Sequence, residues 1–206
     1  IREPWRMAAT YLQRVFGDDF LELAIPFVSR LPRRAWSNLR SMVASDLNCP
    51  ETSSMGRLFD AVSSLVGVAD VVNYEGHAAM ALEAIGYEFN FDFERGLIYE
   101  SSVIRSVVAD LLAGTPAPII SAKFHQAVVD LIVAVALRIR EERRLNRVVL
   151  SGGVFQNFLL LERVRRQLES QSFEVFTHCR VPPNDGGIAL GQAAVAHALI
   201  QSGSIH

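Results

Sequence analysis

The sequence of 206 residues has only two cysteines, and their spacing is not typical of a disulfide or a metal site. Cys49 and Cys179 lie far apart and in no CxxC spacing, which excludes a disulfide framework and a cysteine-based zinc site. This usage is typical of a reducing compartment, so we expect a cytoplasmic protein. We recognise no signal peptide and no apolar run long enough to span a membrane, and therefore expect no membrane partner.

The sequence also lacks an excess of either charge. The formal net charge is −2, and Lys123 is the single lysine among 20 basic residues, so nucleic acid is not an expected partner. Half of the residues are hydrophobic, which favours a packed core over disorder. Because the chain begins with Ile1 and not Met, we expect a fragment of a larger protein.

The most informative stretch begins at an apolar, β-branched run over residues 147–150, which predicts a buried strand. Ser151, Gly152 and Gly153 follow it, and successive glycines permit positive φ and close approach of a ligand to the main chain. Asn157 stands where a helix is predicted to begin. A strand, a glycine turn and a helix N-terminus together can bind phosphate, although such a turn alone is also a common structural feature.

A second strand is predicted at residues 173–176, and the turn after it contains Asn184, Asp185 and two glycines before another helix. Two strand ends with glycine-containing loops indicate the edge of an α/β sheet. Asp185 has two possible roles at this point, since aspartate in such a turn is often a helix cap.

The rest of the chain is predicted to be mostly helical. Residues 1–48 read as helices, with Pro4 in a first turn and Asp18-Asp19 as a cap. Further predictions are an amphipathic helix with Ala61, Val62, Leu65 and Val66 that stops at Gly67, helices at 74–85, 103–112 and 119–143, and a strand at 87–93 with a hairpin turn at Arg95-Gly96. His125 is expected to be a packed or capping residue.

Four motifs together closely resemble the final domain of the HypF carbamoyltransferases of hydrogenase maturation. They are TSSMGRLFDAV from Thr52, YEGHAA from Tyr74, SGGVFQN from Ser151 and VPPNDGGIALGQA from Val181. The resemblance covers nearly the whole chain. It implies a helix-rich α/β fold, the C-terminal lobe of an actin/sugar kinase/Hsp70-like (ribonuclease H-like) domain. Residues 1–50 would be a helical arm, and residues 51–206 would be the nucleotide- and metal-binding lobe.

The resemblance also implies site residues, although it gives no catalytic residue. Asp185 would bind a divalent metal. The residues expected to contact nucleotide are Asp60, Glu75, Gly76, Gly152, Gly153, Asn157 and Asn184. The related tRNA threonylcarbamoyladenosine-forming proteins carry Tyr-Pro-Gly-Gly where this sequence has Tyr-Glu-Gly-His, so the neighbour of Gly76 that contacts the ligand is left open.

The implied activity is transfer of a carbamoyl group from carbamoyl-adenylate to the C-terminal cysteine of HypE. Carbamoyl phosphate and ATP would be the substrates of the full enzyme. The family's His-x-x-x-His metal pair is missing, because the five histidines, 77, 125, 178, 197 and 206, are never four apart. We therefore expect the fragment alone to be inactive. The alternatives are a small-molecule carbamoyltransferase and a nucleotide-binding regulatory module of the same superfold.

Overall fold

The computed structural model describes residues 3–67, 91–94 and 97–203. It divides into two compact units, Ile1–Leu131 and Ile132–His206. The helix predicted at 74–85, with Glu75 and Gly76, and the turn at Arg95-Gly96 lie outside the described residues. The boundary between units differs from the one predicted between residues 50 and 51, and the functional division into arm and lobe stays a prediction.

The first unit begins with helices, as the sequence predicts. They are α1 (Pro4–Phe16), a 3-10 helix (Gly17–Glu22), α2 (Pro26–Arg30), α3 (Arg33–Ala44) and α4 (Met55–Leu65). Pro4 occupies the first turn of α1, where its missing N–H is not needed. The predicted cap at Asp18-Asp19 was wrong: both residues lie inside the 3-10 helix, and the Asp18 carboxylate accepts from Arg40 at 2.6 Å.

The core of the first unit forms where α1 packs against α4 and the later helix α5 (Ser101–Leu112). Ala8 and Ala9 of α1 are fully buried, and their small side chains let the neighbouring helices approach closely. Phe20 and Trp36 meet edge to face, with ring centroids 5.2 Å apart, an arrangement that aromatic pairs favour.

The predicted hairpin is present in part: β1 (Asp92–Glu94) pairs antiparallel with β2 (Leu97–Tyr99). The long helix α6 (Ala117–Arg143) begins two residues before its predicted start. Among the described residues, α6 is long and apolar enough to cross a membrane by length and composition, so the expectation of no such run was wrong. Core helices meet the same criteria, and Ile120, Phe124 and Val128 of α6 are buried.

The second unit contains a strand–helix–strand motif. β3 (Arg147–Leu150) and β4 (Glu174–Thr177) pair in parallel, and α7 (Phe158–Ser170) connects them. α7 buries Leu160, Val164 and Leu168, which recur at helical spacing as predicted. Residues 188–201 form the last described helix, α8 (Ile188–Gln201). The two strands and two helices predicted for this unit are confirmed as elements. β3 is not the buried strand that was predicted, because Val149 is 68% exposed and only Leu150 of the four residues is buried.

An ion pair links α5 to α6 within the first unit. Lys123 Nζ lies 2.9 Å from Asp110 Oδ2, and only 8% and 16% of the two side chains are exposed. Thr115 Oγ1 also donates to Asp110 Oδ1 at 3.2 Å. Charges removed from water in this way require their partners, so the sole lysine has a structural role.

We expect Asp110→Ala to lower the free energy of unfolding by about 3 kcal/mol, because Lys123 would lose its carboxylate partner. The control is Asp130→Ala, which removes an exposed carboxylate from α6, the helix that carries Lys123, and should cost about 0.5 kcal/mol or less. Urea denaturation measures both. Equal effects of the two substitutions would contradict a structural role for the Asp110–Lys123 pair.

Candidate functional site

Two loops meet at the carboxyl ends of β3 and β4. The parallel register pairs Leu150 with Thr177, the last residues of the two strands. The residues that follow, Ser151 and His178, are therefore neighbours, and His178 Nε2 lies 2.8 Å from Ser151 Oγ. We call residues 151–157 the first loop and residues 178–187 the second loop. In-register parallel strands place both loops at one edge of the sheet.

The backbone of Gly152 connects the two loops. Its N–H donates to the carbonyl oxygen of Pro183 at 2.7 Å. Its φ of +109° lies in a region that is essentially restricted to glycine when ψ is near 155°. Gly153 does not share this conformation and begins a 3-10 helix (Gly153–Gln156). The requirement for positive φ, which the sequence left open between the two glycines, therefore falls on Gly152.

The second loop ends in a tight turn that depends on small residues. The Oδ1 atom of Asn184 accepts from Gly186 N at 3.0 Å, and a short 3-10 helix (Asp185–Gly187) follows. A Cβ atom added to Gly187 would lie 3.0 Å from the carbonyl oxygen of Pro182. The Gly186-Gly187 pair thus allows the chain to turn closely over Pro182.

Asp185 differs from its neighbour in that its side chain is hydrogen-bonded to no group among the described residues. Its alternative role as a cap, considered from the sequence, belongs to Asn184. The Asp185 side chain is exposed, and no described group donates to its carboxylate. Within the described part of the chain, no three His, Cys, Asp or Glu side chains are grouped to hold a metal. Asp185 fits a divalent cation by its oxygen chemistry, but the described residues provide one ligand and not a full set.

Asn157 caps α7, since its Oδ1 atom accepts from Leu160 N at 3.2 Å. This confirms the predicted helix start. The cap uses one of the oxygen's lone pairs and holds the side chain at the end of the first loop. Its contact with nucleotide stays a prediction, as does that of Asn184.

Asp60 belongs to the first unit, whereas both loops belong to the second. It lies on α4, where its Oδ2 atom accepts from Arg57 Nη1 at 2.8 Å. The next residue toward the N-terminus, Phe59, packs edge to face on Phe124 with ring centroids 4.7 Å apart. His125 also packs edge to face on Phe59, as expected for a packed histidine. The Asp60 carboxylate thus lies on α4 beside the cationic Arg57.

The structure therefore brings together Gly152, Gly153, Asn184 and Asp185, with Asn157 at the end of the first loop. It also reveals the Ser151–His178 pair, for which no role was predicted from the sequence. The available signal was positional: Ser151 directly follows the first predicted strand, and His178 lies two residues after the end of the second. It becomes informative only when the register of the two strands is known.

Comparisons with known proteins show which family the chain resembles. A family profile described as "Carbamoyltransferase, Kae1-like Domain, second subdomain" matches residues 1–192. The carbamoyltransferase HypF2 of Cupriavidus necator is 32% identical over 95% of this chain and 27% of its own length. The carbamoyltransferase HypF of Rhodobacter capsulatus is 33% identical over 97% of this chain and 26% of its own length.

A solved structure extends the similarity to three dimensions. It is a crystal structure of full-length HypF in the phosphate- and nucleotide-bound form. It superposes with a TM-score of 0.79 at 35% identity, covering 95% of this chain and 31% of that one. The chain thus spans about a quarter of the length of the curated relatives it matches.

These findings define a class of protein first: the chain has the helix-rich α/β fold of the C-terminal lobe of an actin-like, Kae1-like domain. Within that class, the chain belongs to the HypF carbamoyltransferase family. The resemblance read from the four sequence motifs is confirmed.

Gly152→Ala should lower the free energy of unfolding by about 1–3 kcal/mol, because alanine is strained at this φ and ψ. The matched control is Gly153→Ala, where an added Cβ atom would lie at an ordinary 3.8 Å from Asn184 Cβ. We expect it to cost about 0.5 kcal/mol or less. Chemical denaturation of both variants measures the difference, and a Gly153 variant that loses more stability than the Gly152 variant would contradict the assignment.

Proposed function

We propose that this chain is the C-terminal lobe of the carbamoyltransferase domain in a longer HypF-type protein, here called the complete enzyme. The complete enzyme transfers a carbamoyl group from carbamoyl-adenylate to the C-terminal cysteine of a HypE-like acceptor. The observation that carries this proposal is the hydrogen bond from Gly152 N–H to the Pro183 carbonyl. It joins the two motif loops at one edge of the sheet, as a shared ligand site requires. Relatives named carbamoyltransferases support it.

The chemistry suits a site of this kind. Carbamoyl-adenylate is a mixed anhydride and already activated, so the protein needs to position it and to stabilise charge. Gly152 and Gly153 let the nucleotide phosphate approach the main chain, because neither carries a side chain. The nucleotide itself would be held by Asp60, Glu75, Gly76, Asn157 and Asn184, as the family resemblance implies. ATP and carbamoyl phosphate are the proposed substrates from which the complete enzyme makes the adenylate.

Asp185 is the residue we assign to a divalent metal. Its carboxylate is exposed, and the cap that fixes its turn is provided by Asn184, which leaves Asp185 available as an oxygen ligand. Such a metal, when bound, would neutralise charge on the phosphate during transfer. The other ligands would come from outside the described residues.

Exposed apolar surface in the second unit supports a role within a larger domain. Every residue of α8 is exposed, including Leu190 and Val195. On β3, Val149 is 68% exposed, although parallel sheets are normally covered on both faces. Apolar faces of this kind require a covering layer, which the remainder of the complete enzyme would provide.

We also propose that the complete enzyme works in the cytoplasm. Cys49 and Cys179 are both free thiols, and Cys179 is exposed, a state that a reducing compartment preserves. A thiol acceptor such as the HypE cysteine would be kept reduced in the same compartment.

The test is a transfer assay with ATP, carbamoyl phosphate and an acceptor protein that ends in cysteine. We expect the complete enzyme to add one carbamoyl group to the acceptor, detected by mass spectrometry, and this chain alone to add none. An acceptor that ends in serine is the control and should stay unmodified. ATP binding without any transfer would favour a regulatory module, and transfer to a small molecule alone would favour the other alternative.

Asp185→Asn in the complete enzyme should abolish metal binding and carbamoyl transfer, because the amide is a poor metal ligand. The melting temperature should stay unchanged, because Asn184 still caps the turn. Asn184→Ala is the matched control, since it removes the cap and should cost about 1 kcal/mol of stability. Metal content by mass spectrometry and melting by calorimetry report the two effects. A normal metal content in the Asp185 variant would refute its role as a ligand.

A further inference from the structure

The pair formed by Ser151 and His178 is not used by the site as described so far. Ser151 is the first residue after β3, and His178 is the first residue after β4. Their side chains lie 2.8 Å apart, Oγ to Nε2, and both residues are exposed. A ligand held over Gly152 would therefore have this hydrogen-bonded pair beside it.

Transfer of a carbamoyl group to a thiol leaves one proton to be accepted. The thiolate, and not the thiol, is the effective nucleophile. The leaving group is the phosphate of AMP, and since the second pKa of a phosphate monoester is about 6, it departs without needing an acid near neutral pH. The proton that the protein must manage is therefore the one on the acceptor sulfur.

The two loops contain few groups that can accept this proton. Their titratable side chains are His178, Cys179, Arg180 and Asp185. Arginine stays protonated, a cysteine thiol is not a base near neutral pH, and Asp185 is assigned to the metal. Imidazole is the side chain suited to accept a proton near neutral pH, which leaves His178.

We propose that His178, with Ser151 on its Nε2 atom, accepts the proton of the acceptor thiol during carbamoyl transfer; this inference rests on the proposed function. In the form in which Nε2 is unprotonated, the Ser151 hydroxyl donates to it. Ser151 can then pass its proton to Nε2 while its oxygen receives the proton from sulfur.

The S–H bond breaks and its proton reaches His178 through Ser151. The sulfur electron pair forms a bond to the carbamoyl carbon, and the bond from that carbon to the phosphate oxygen breaks, so that its electron pair leaves with AMP. The imidazolium afterwards releases the proton to solvent. The products are the S-carbamoyl acceptor, AMP and one proton.

His178→Gln in the complete enzyme tests this role, because glutamine keeps a polar side chain but cannot accept the proton. We expect kcat for the cysteine acceptor to fall by about 100-fold or more, as is typical for loss of a general base. Adding imidazole to the buffer should restore part of the rate. His197→Gln, which changes a histidine of α8 outside both loops, is the matched control and should keep the wild-type rate and show no response to imidazole.

A second acceptor separates a chemical role from a structural one. Uncharged hydroxylamine attacks with a free electron pair and needs no prior loss of a proton, so His178→Gln should transfer to it at nearly the wild-type rate. Ser151→Ala should lower the rate with the cysteine acceptor and keep the rate with hydroxylamine. The proposal would be overturned if His178→Gln lowered the transfer rate equally with both acceptors. It would also be overturned if His178→Gln left the rate with the cysteine acceptor unchanged. A wild-type enzyme that transfers to neither acceptor would refute the proposed function itself.

Discussion

The parallel pairing of β3 with β4 is the constraint on which the candidate site depends. Because the strands run in the same direction and in register, both loops leave the sheet at one edge. The bond from Gly152 N–H to the Pro183 carbonyl then fixes the separation of the loops. A shift of one residue in this register would separate Ser151 from His178 and turn each strand residue to the opposite face.

Local chemistry explains why much of this fold could be predicted from the sequence. A short β-branched run followed by glycines, and an apolar helical repeat after Asn157, specify strand, turn and helix from neighbouring residues alone. Pro4 and Gly67 mark helix ends for equally local reasons. What the sequence could not supply was information that depends on two distant segments, such as the strand register or the pairing of Asp110 with Lys123.

This difference between local and long-range information also explains why some sequence predictions failed at individual residues. Asp18-Asp19 has the composition of a cap, but the chain continues through it in a 3-10 helix, and Asp18 pairs with Arg40. The four-residue motif around Asn184 contains two side chains that are both able to cap. Only the structure shows that Asn184 is used and Asp185 is not.

Because Asn184 and not Asp185 caps the turn, the Asp185 carboxylate is available to bind a cation. A carboxylate that also capped the turn would have part of its charge neutralised by backbone N–H groups, which weakens it as a metal ligand. Asn184 supplies the cap without charge, so the exposed Asp185 carboxylate is not used in the cap at the carboxyl edge of the sheet. The histidine at the start of the same loop lies on the other side of Pro182-Pro183 in the sequence and is hydrogen-bonded to Ser151. The second loop therefore carries a carboxylate suited to a cation and an imidazole suited to a proton, two groups that the proposed transfer from an acyl phosphate to a thiol would use.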